Sequence, residues 1–187
     1  LGLALAPDDR RPVAGERQDG QGSRGHEELV RDAAVRPLVR HRALVIANLL
    51  PMAAALIAGS VVACVSAVAI AAAFGAPRQV LVSLAPKSVT AGIAMAVSEN
   101  LGGVPALTAV LVITTGIIGA VIVTPLMNAL RIKDYAARGF AVGLASHGIG
   151  TARAFTVDEV AGTFAGVAMG LNGLATSLIV PLLMRWV

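Results

Sequence analysis

The sequence predicts an all-α fold, that of a polytopic helical membrane protein. Of its 187 residues, 56% are hydrophobic and 14% are charged, whereas about a quarter of the residues of a soluble domain are charged. The charge is also uneven, because 15 of the 26 Lys, Arg, Asp and Glu residues precede Ala43 and only 11 occupy the remaining 145 positions. We expect about three full spans, two broken or re-entrant segments and an inverted repeat.

The chain divides by composition near residue 38. Residues 1–38 are polar and rich in Gly and Arg, with no apolar periodicity. Such a segment cannot bury enough apolar surface to offset its ordering entropy, so disorder is predicted there. Residues 39–187 are predicted to form one transmembrane domain.

Long uncharged stretches predict the full spans, because about 20 apolar residues cross a bilayer. The predicted spans are 51–74, 105–126 and 160–184. Two further apolar stretches are interrupted: residues 80–98 contain Lys87, and residues 139–152 contain His147 among glycines.

The two interrupted stretches resemble each other at a spacing of 60 residues. Lys87 in Leu-Ala-Pro-Lys precedes His147 in Leu-Ala-Ser-His by 60 positions, and Glu99 precedes Glu159 by the same number. The cations before the first span and those after the second span can both lie on the cytoplasmic side if residues 80–98 enter the membrane and return. Each repeat then crosses once, which inverts the second copy, as in many secondary transporters. Chance similarity between Ala- and Leu-rich stretches is the alternative.

Lys87 is the residue that most strongly indicates a function. A lysine at the centre of a span costs roughly 2.5–3.5 kcal/mol, so it usually faces a cavity or a partner; the alternative is that Lys87 snorkels to an interface. Pro86 removes a backbone donor, and Ser88 and Thr90 add hydroxyls. This group predicts a receptor for a small carboxylate.

A second group surrounds His147. Ser146 and Gly148 flank it, and an imidazole on unwound backbone can donate to a carboxylate or relay a proton; a packing histidine is the alternative. Glu99 is the other candidate for proton coupling, unless it caps a helix at the interface.

Small residues on the last span predict helix packing. Gly162, Gly166 and Gly170 recur every four residues, and such spacing lets helices approach closely. Asn172 is expected to form an interhelical hydrogen bond or to belong to the site. Cys64 is expected to be a small buried residue.

Several classes of function are excluded. One Cys and three scattered His residues fit neither a disulfide scaffold nor a zinc cluster. No catalytic triad or phosphate-binding loop is present, so neither catalytic residues, a cofactor nor a metal is expected, and the protein is not expected to be an enzyme. The cations flank apolar runs rather than forming a basic face, which argues against nucleic-acid binding. Arg153, Asp158 and Glu159 are expected to form a solvated loop cluster.

Two blocks resemble the LrgB/CidB family of antiholin-like membrane proteins. They are LAPKSVTAGIAMAVSENLGGVPALTAVLVITTGIIGAV and ARGFAVGLASHGIGTARAF. The resemblance runs from about Arg42 to the C-terminus. It implies a bacterial inner-membrane protein, a smaller LrgA/CidA-type membrane partner, and either transport of small monocarboxylates (glycolate, glycerate, pyruvate) or control of murein hydrolases and lysis. The motif positions carried over are Pro86, Lys87, Ser88, Thr90, Glu99, Ser146, His147 and Gly148.

The sequence departs from this family upstream. Family members begin with further apolar spans, which residues 1–38 replace. We therefore expect the family's reading frame to resume near RALVIANLLP, and the preceding residues to be translated out of frame or to be a truncated segment. A homo-oligomer is compatible with the glycine repeat.

Overall fold

The computed structural model describes residues 35–186, and the regular elements within them are helices. In chain order they are α1 (Arg36–Arg40), α2 (Arg42–Ala47), α3 (Leu49–Ala73), α4 (Arg78–Leu84), α5 (Ala91–Asn100), α6 (Pro105–Ala129), α7 (Tyr135–Phe155) and α8 (Glu159–Leu183). The predicted boundary at residue 38 falls inside α1. The rest of the predicted disordered segment, residues 1–34, lies outside the described residues.

The three predicted spans are confirmed. Helices α3, α6 and α8 each contain 25 residues and are long and apolar enough to cross a membrane. Each boundary lies within three residues of its predicted position. Charged residues are absent from α3 and α6, so almost every residue there is compatible with lipid.

Helices α3 and α8 run side by side in the same direction. Met52, near the start of α3, belongs to an apolar cluster with Phe164, near the start of α8. Cys64 and Val68 pack in a second cluster that includes Met184, just beyond the end of α8. Because the contacts advance together along both helices, α3 and α8 are parallel.

Helices α4 and α5 form a re-entrant hairpin, which we call hairpin 1. The backbone N–H of Val104, just before α6, donates to Ser83 Oγ of α4 at 2.8 Å. Ser98 Oγ, near the end of α5, accepts from Thr108 Oγ1 of α6 at 2.8 Å. The start of α6 therefore contacts both arms, so the chain enters through α4 and returns through α5.

Helix α7 doubles back at a single residue, and we call it hairpin 2. His147 has φ 41° and ψ −135°, which interrupts the helix. A Cβ atom added to Gly150 would lie 3.0 Å from the carbonyl oxygen of Val142, although eight residues of straight helix are about 12 Å long. Ala154 and Val142 also share an apolar cluster with Ala161 of α8. The predicted re-entrant segments are thus both present.

The tightest helix contact joins the first arm of hairpin 2 to α8. A Cβ atom on Gly139 would overlap the backbone of Ala161, and one on Gly143 would overlap the backbone of Ala165. Small residues four positions apart on both helices let the backbones touch, which is the usual way for helices to associate in lipid.

The glycine repeat predicted for packing has a smaller role within this chain. A Cβ atom on Gly162 would overlap the ring of Phe155, so Gly162 is needed where it lies. A Cβ atom added to Gly166 or to Gly170 would have no described atom within 4 Å, apart from the backbone of its own helix. Their surface is therefore open in the described part of the chain.

The two hairpins enter from opposite sides of the membrane. Arg40 pairs with Glu159 at the start of α8 at 3.0 Å, so the beginning of α8 lies on one side, which we call the arginine side. Arg78, at the start of hairpin 1, donates to the carbonyl oxygen of Met184 at 3.2 Å, on the other side. Each hairpin is followed by one crossing helix, so the two units form an inverted repeat.

The sides of the membrane follow from the distribution of cations. The arginine side carries the loop that contains Arg131 and Lys133 and the ends of hairpin 2 with Arg138 and Arg153. The positive-inside rule predicts that this side faces the cytoplasm.

This topology is tested with single cysteines in a Cys64→Ser background. Phe74→Cys and Asn100→Cys should react with a membrane-impermeant maleimide from one side, and Lys133→Cys and Thr156→Cys from the other. The first pair is decisive, because Asn100 and Phe74 would lie on opposite sides if residues 78–100 crossed the bilayer.

Candidate functional site

The tips of the two hairpins meet at the side chain of Asn172. Its amide Nδ2 donates to the carbonyl oxygen of Ser88 at 3.1 Å and to that of Leu144 at 3.0 Å. Both carbonyls belong to backbone at or beside a helix break. Asn172 is near the midpoint of α8, so the tips lie near the middle of the membrane.

The oxygen of the same amide is also satisfied. Asn172 Oδ1 accepts from Ser60 Oγ of α3 at 2.7 Å and from Thr176 Oγ1 at 3.3 Å. Asn172, Ser60 and Thr176 are each no more than 2% exposed. One buried amide therefore joins α3, α8 and both hairpins.

The tip of hairpin 2 is also tied to α6. His147 Nε2 donates to the carbonyl oxygen of Val112 at 2.9 Å; a carbonyl can only accept, so Nε2 carries the proton of this bond. The imidazole reaches this carbonyl because Gly116 has no side chain: a Cβ atom there would lie 2.7 Å from the ring. His147 is 5% exposed.

Gly119 accommodates Ser146 in the same way. A Cβ atom on Gly119 would overlap Ser146 Oγ. That hydroxyl is buried and has no partner among the described residues. Gly116 and Gly119 thus form a cradle on α6 for the tip of hairpin 2.

The contacts between repeats are reciprocal. Val112 precedes Asn172 by the same 60 residues that separate Lys87 from His147. Val112 of the first repeat binds the tip of hairpin 2, and Asn172 of the second repeat binds the tip of hairpin 1. The two contacts thus occur at corresponding positions, although the donor is on the tip in one repeat and on the crossing helix in the other.

The predicted group around Lys87 forms the tip of hairpin 1. Lys87 is half-buried, and its Nζ donates to Ser88 Oγ at 3.2 Å. None of the described carboxylates pairs with Lys87. Pro86 is fully buried, whereas Thr90 is exposed and its side chain does not cap α5.

Two helix N-termini point toward the tips. Helix α5 begins at Ala91, immediately after Thr90, and the second arm of hairpin 2 begins at Gly148, which is exposed. The first N–H groups of a helix lack intrahelical partners and carry partial positive charge. Together with Lys87, these ends make the meeting point of the hairpins favourable for an anion.

Glu99 lies away from this point. It is exposed and lies near the end of α5 opposite to the tip, and ten helical residues are about 15 Å long. The structure therefore does not bring Glu99 to Lys87 or His147, and it offers no geometric support for the predicted proton-coupling role of Glu99 at a shared site.

Some residues of this centre were not found from the sequence. Ser60 is one of two serines in an otherwise apolar helix, and its contact with Asn172 depends on packing across 112 positions. The spacing of Gly116 and Gly119 did indicate a close contact, because residues three positions apart lie on the same face of a helix. No metal-binding group of three or more His, Cys, Asp or Glu residues occurs in the described range.

Comparison with known sequences gives a family match over most of the chain. The profile of the LrgB-like family matches residues 33–186. The match begins upstream of Arg42, where the resemblance was expected to start. No solved structure matches the chain.

Individual relatives support this match. The chain is 38% identical over 111 residues to holin-like protein CidB of Staphylococcus aureus strain Mu50, covering 59% of this chain and 48% of that protein. It is 41% identical over 128 residues to the uncharacterized protein YwbG of Bacillus subtilis, covering 68% and 57%. It is 31% identical over 150 residues to YxaC of the same organism, covering 80% and 65%. The chain thus spans between about half and two-thirds of the length of these relatives.

We predict that Asn172→Leu strongly destabilises the fold, because it leaves two buried carbonyl oxygens without their donor. Each buried unpaired group costs about 1–3 kcal/mol. Thermal unfolding in detergent can be followed by the reaction of buried Cys64 with a thiol-sensitive dye. The control Asn100→Leu, at an exposed position, should unfold close to the wild-type temperature. Equal unfolding temperatures for both variants would contradict the bridging role.

We also predict that His147→Gly is more stable than His147→Ala. Both variants lose the hydrogen bond to Val112, but a glycine adopts a φ of 41° without strain, and an alanine does not. The expected difference is about 1 kcal/mol in the free energy of unfolding. The same unfolding assay measures it, and an alanine variant at least as stable as the glycine variant would show that the tip relaxes.

Proposed function

Because this chain belongs to the LrgB-like family, we propose that it transports small monocarboxylates of the glycolate, glycerate and pyruvate class across the bacterial inner membrane. The observation that carries the proposal is the placement of Lys87. Its amine lies at the tip of a re-entrant hairpin, half-buried, without a carboxylate partner among the described residues. An uncompensated cation at this depth is costly unless an anion binds there.

The surroundings of Lys87 suit a carboxylate. Lys87 provides the charge, the Ser88 hydroxyl can donate to a second oxygen, and the N-terminus of α5 adds partial positive charge. Thr90 lies exposed beside this helix end. Two oxygens of one small anion can thus be bound by groups of a single tip.

His147 is the residue that we assign to proton coupling. With Nε2 donating to Val112, the neutral ring keeps Nδ1 as an acceptor that can take up a proton. Ser146 and Gly148 complete this second tip, which meets hairpin 1 at Asn172. Proximity of the tips allows proton binding and anion binding to influence each other.

A second candidate function is control of murein hydrolase activity and lysis. The relatives named holin-like favour it, as does the open surface at Gly166 and Gly170, which suits a second copy or a smaller LrgA/CidA-type membrane protein. In this case Gly166→Leu should disrupt assembly measured by cross-linking, and Lys87→Ala should leave it intact.

We predict that Lys87→Ala lowers saturable uptake of labelled glycolate or pyruvate into proteoliposomes by about 10- to 100-fold under an imposed proton gradient. Loss of a hydrogen bond to a charged group costs about 1.5–3 kcal/mol, which corresponds to this range. Lys133→Ala is the matched control, because it removes the same charge from an exposed loop. A version extended with the N-terminal spans of a longer relative is assayed in parallel.

The outcomes separate the two functions. Uptake that persists in Lys87→Ala would overturn the assigned site. Absence of uptake in both well-inserted versions would favour lysis control, and uptake by the extended version alone would show that transport requires the additional spans.

A further inference from the structure

An open cleft lies on the arginine side, away from the hairpin tips. It is formed by the last turns of α6, by both ends of hairpin 2 and by the start of α8. The residues used below are Val123, Met127, Tyr135, Arg138, Arg153 and Val157. The side chains of two arginines therefore line one small cleft at the membrane surface.

Local contacts hold both arginines in place. Arg138 donates through Nε to the carbonyl oxygen of Ile132 at 2.7 Å and through a terminal nitrogen to Asn128 Oδ1. Its guanidinium carbon lies 6.0 Å from the centroid of the Tyr135 ring. Arg153 donates to Thr156 Oγ1 at 2.9 Å. These contacts orient the two cations without neutralising either of them.

The acidic side chains nearby have other partners, which corrects the predicted cluster of Arg153 with Asp158 and Glu159. Asp158 accepts from the first backbone N–H groups of α8, and Asp134 does the same for α7. Glu159 pairs with Arg40. Within residues 35–186, neither arginine of the cleft therefore forms an ion pair with a carboxylate.

The interior of the cleft is apolar. Val123 and Met127 of α6 form one wall, and Val157 lies near the mouth and is 45% exposed. Apart from Thr124, the α6 side of the cleft offers a small free anion no polar side chain. A ligand that fits both parts needs an anionic group at one end and a hydrocarbon chain at the other.

We propose that this cleft binds a phospholipid with an anionic headgroup. The phosphate lies between Arg138 and Arg153, and part of an acyl chain lies against Val123 and Met127. Tyr135 is placed at the headgroup level, where its ring and hydroxyl suit the interface. Basic pockets between helices on the cytoplasmic side are known to bind the headgroups of such lipids. Each basic residue near the membrane surface contributes about 1 kcal/mol to the binding free energy.

The test uses the full chain, purified in a neutral detergent, with unfolding followed by the thiol of Cys64. Phosphatidylglycerol should raise the apparent unfolding temperature in a concentration-dependent manner. Phosphatidylcholine, which has the same chains and no net charge, should not. Glycerol phosphate, which has the anion and no chains, should not either.

Variants locate the effect in the cleft. Arg153→Gln should weaken phosphatidylglycerol binding about fivefold, and Val157→Asp, which places a negative charge at the exposed mouth, should weaken it at least as much. Lys133→Gln is the control, because it removes one charge on the same side outside the cleft and should bind as the wild type does. Lys87→Ala should also bind normally, since the lipid site is independent of the proposed transport site.

Other results would overturn the proposal. An equal shift with phosphatidylcholine would indicate general lipid solvation, and an equal shift with glycerol phosphate would indicate a free-anion site. Unchanged binding in both Arg153→Gln and Val157→Asp would exclude the cleft.

Discussion

A helix that breaks inside a membrane leaves backbone carbonyls that water cannot reach, and the architecture depends on how they are satisfied. Each unsatisfied group in hydrocarbon costs several kcal/mol. Here one amide, that of Asn172, donates to carbonyls of both hairpins, and its own oxygen is bound by Ser60 and Thr176. The two breaks can therefore exist only where they meet, and this places the tips of two inverted units side by side.

As a result, the continuous helices and the broken helices differ in what they contribute to the fold. The continuous helices α3, α6 and α8 carry the apolar surface that lipid requires. The broken elements bring Lys87 and His147 to the interior, each at the end of a hairpin and beside the start of a helix. Polar side chains thus lie where irregular backbone is supported by protein.

Much of this arrangement could be predicted from the sequence, because its signals are strong in a membrane protein. Long uncharged stretches defined the spans, and the 60-residue spacing of Lys87 and His147 indicated paired breaks. The contacts between helices were harder to predict, since nearly every face of α3 and α6 is apolar and gives no periodic signal. The four-residue repeat at Gly166 and Gly170 therefore resembled a packing face, whereas the actual backbone contact uses Gly139 and Gly143.

The shared amide also restricts how the interior can move. Asn172 has two N–H groups, and both are used, one for each hairpin. Drawing either tip away from α8 would leave a buried carbonyl oxygen without its donor, so separation of the tips from α8 is costly. Helix α6 restricts the tips further, because it binds hairpin 1 through Ser98 and hairpin 2 through His147.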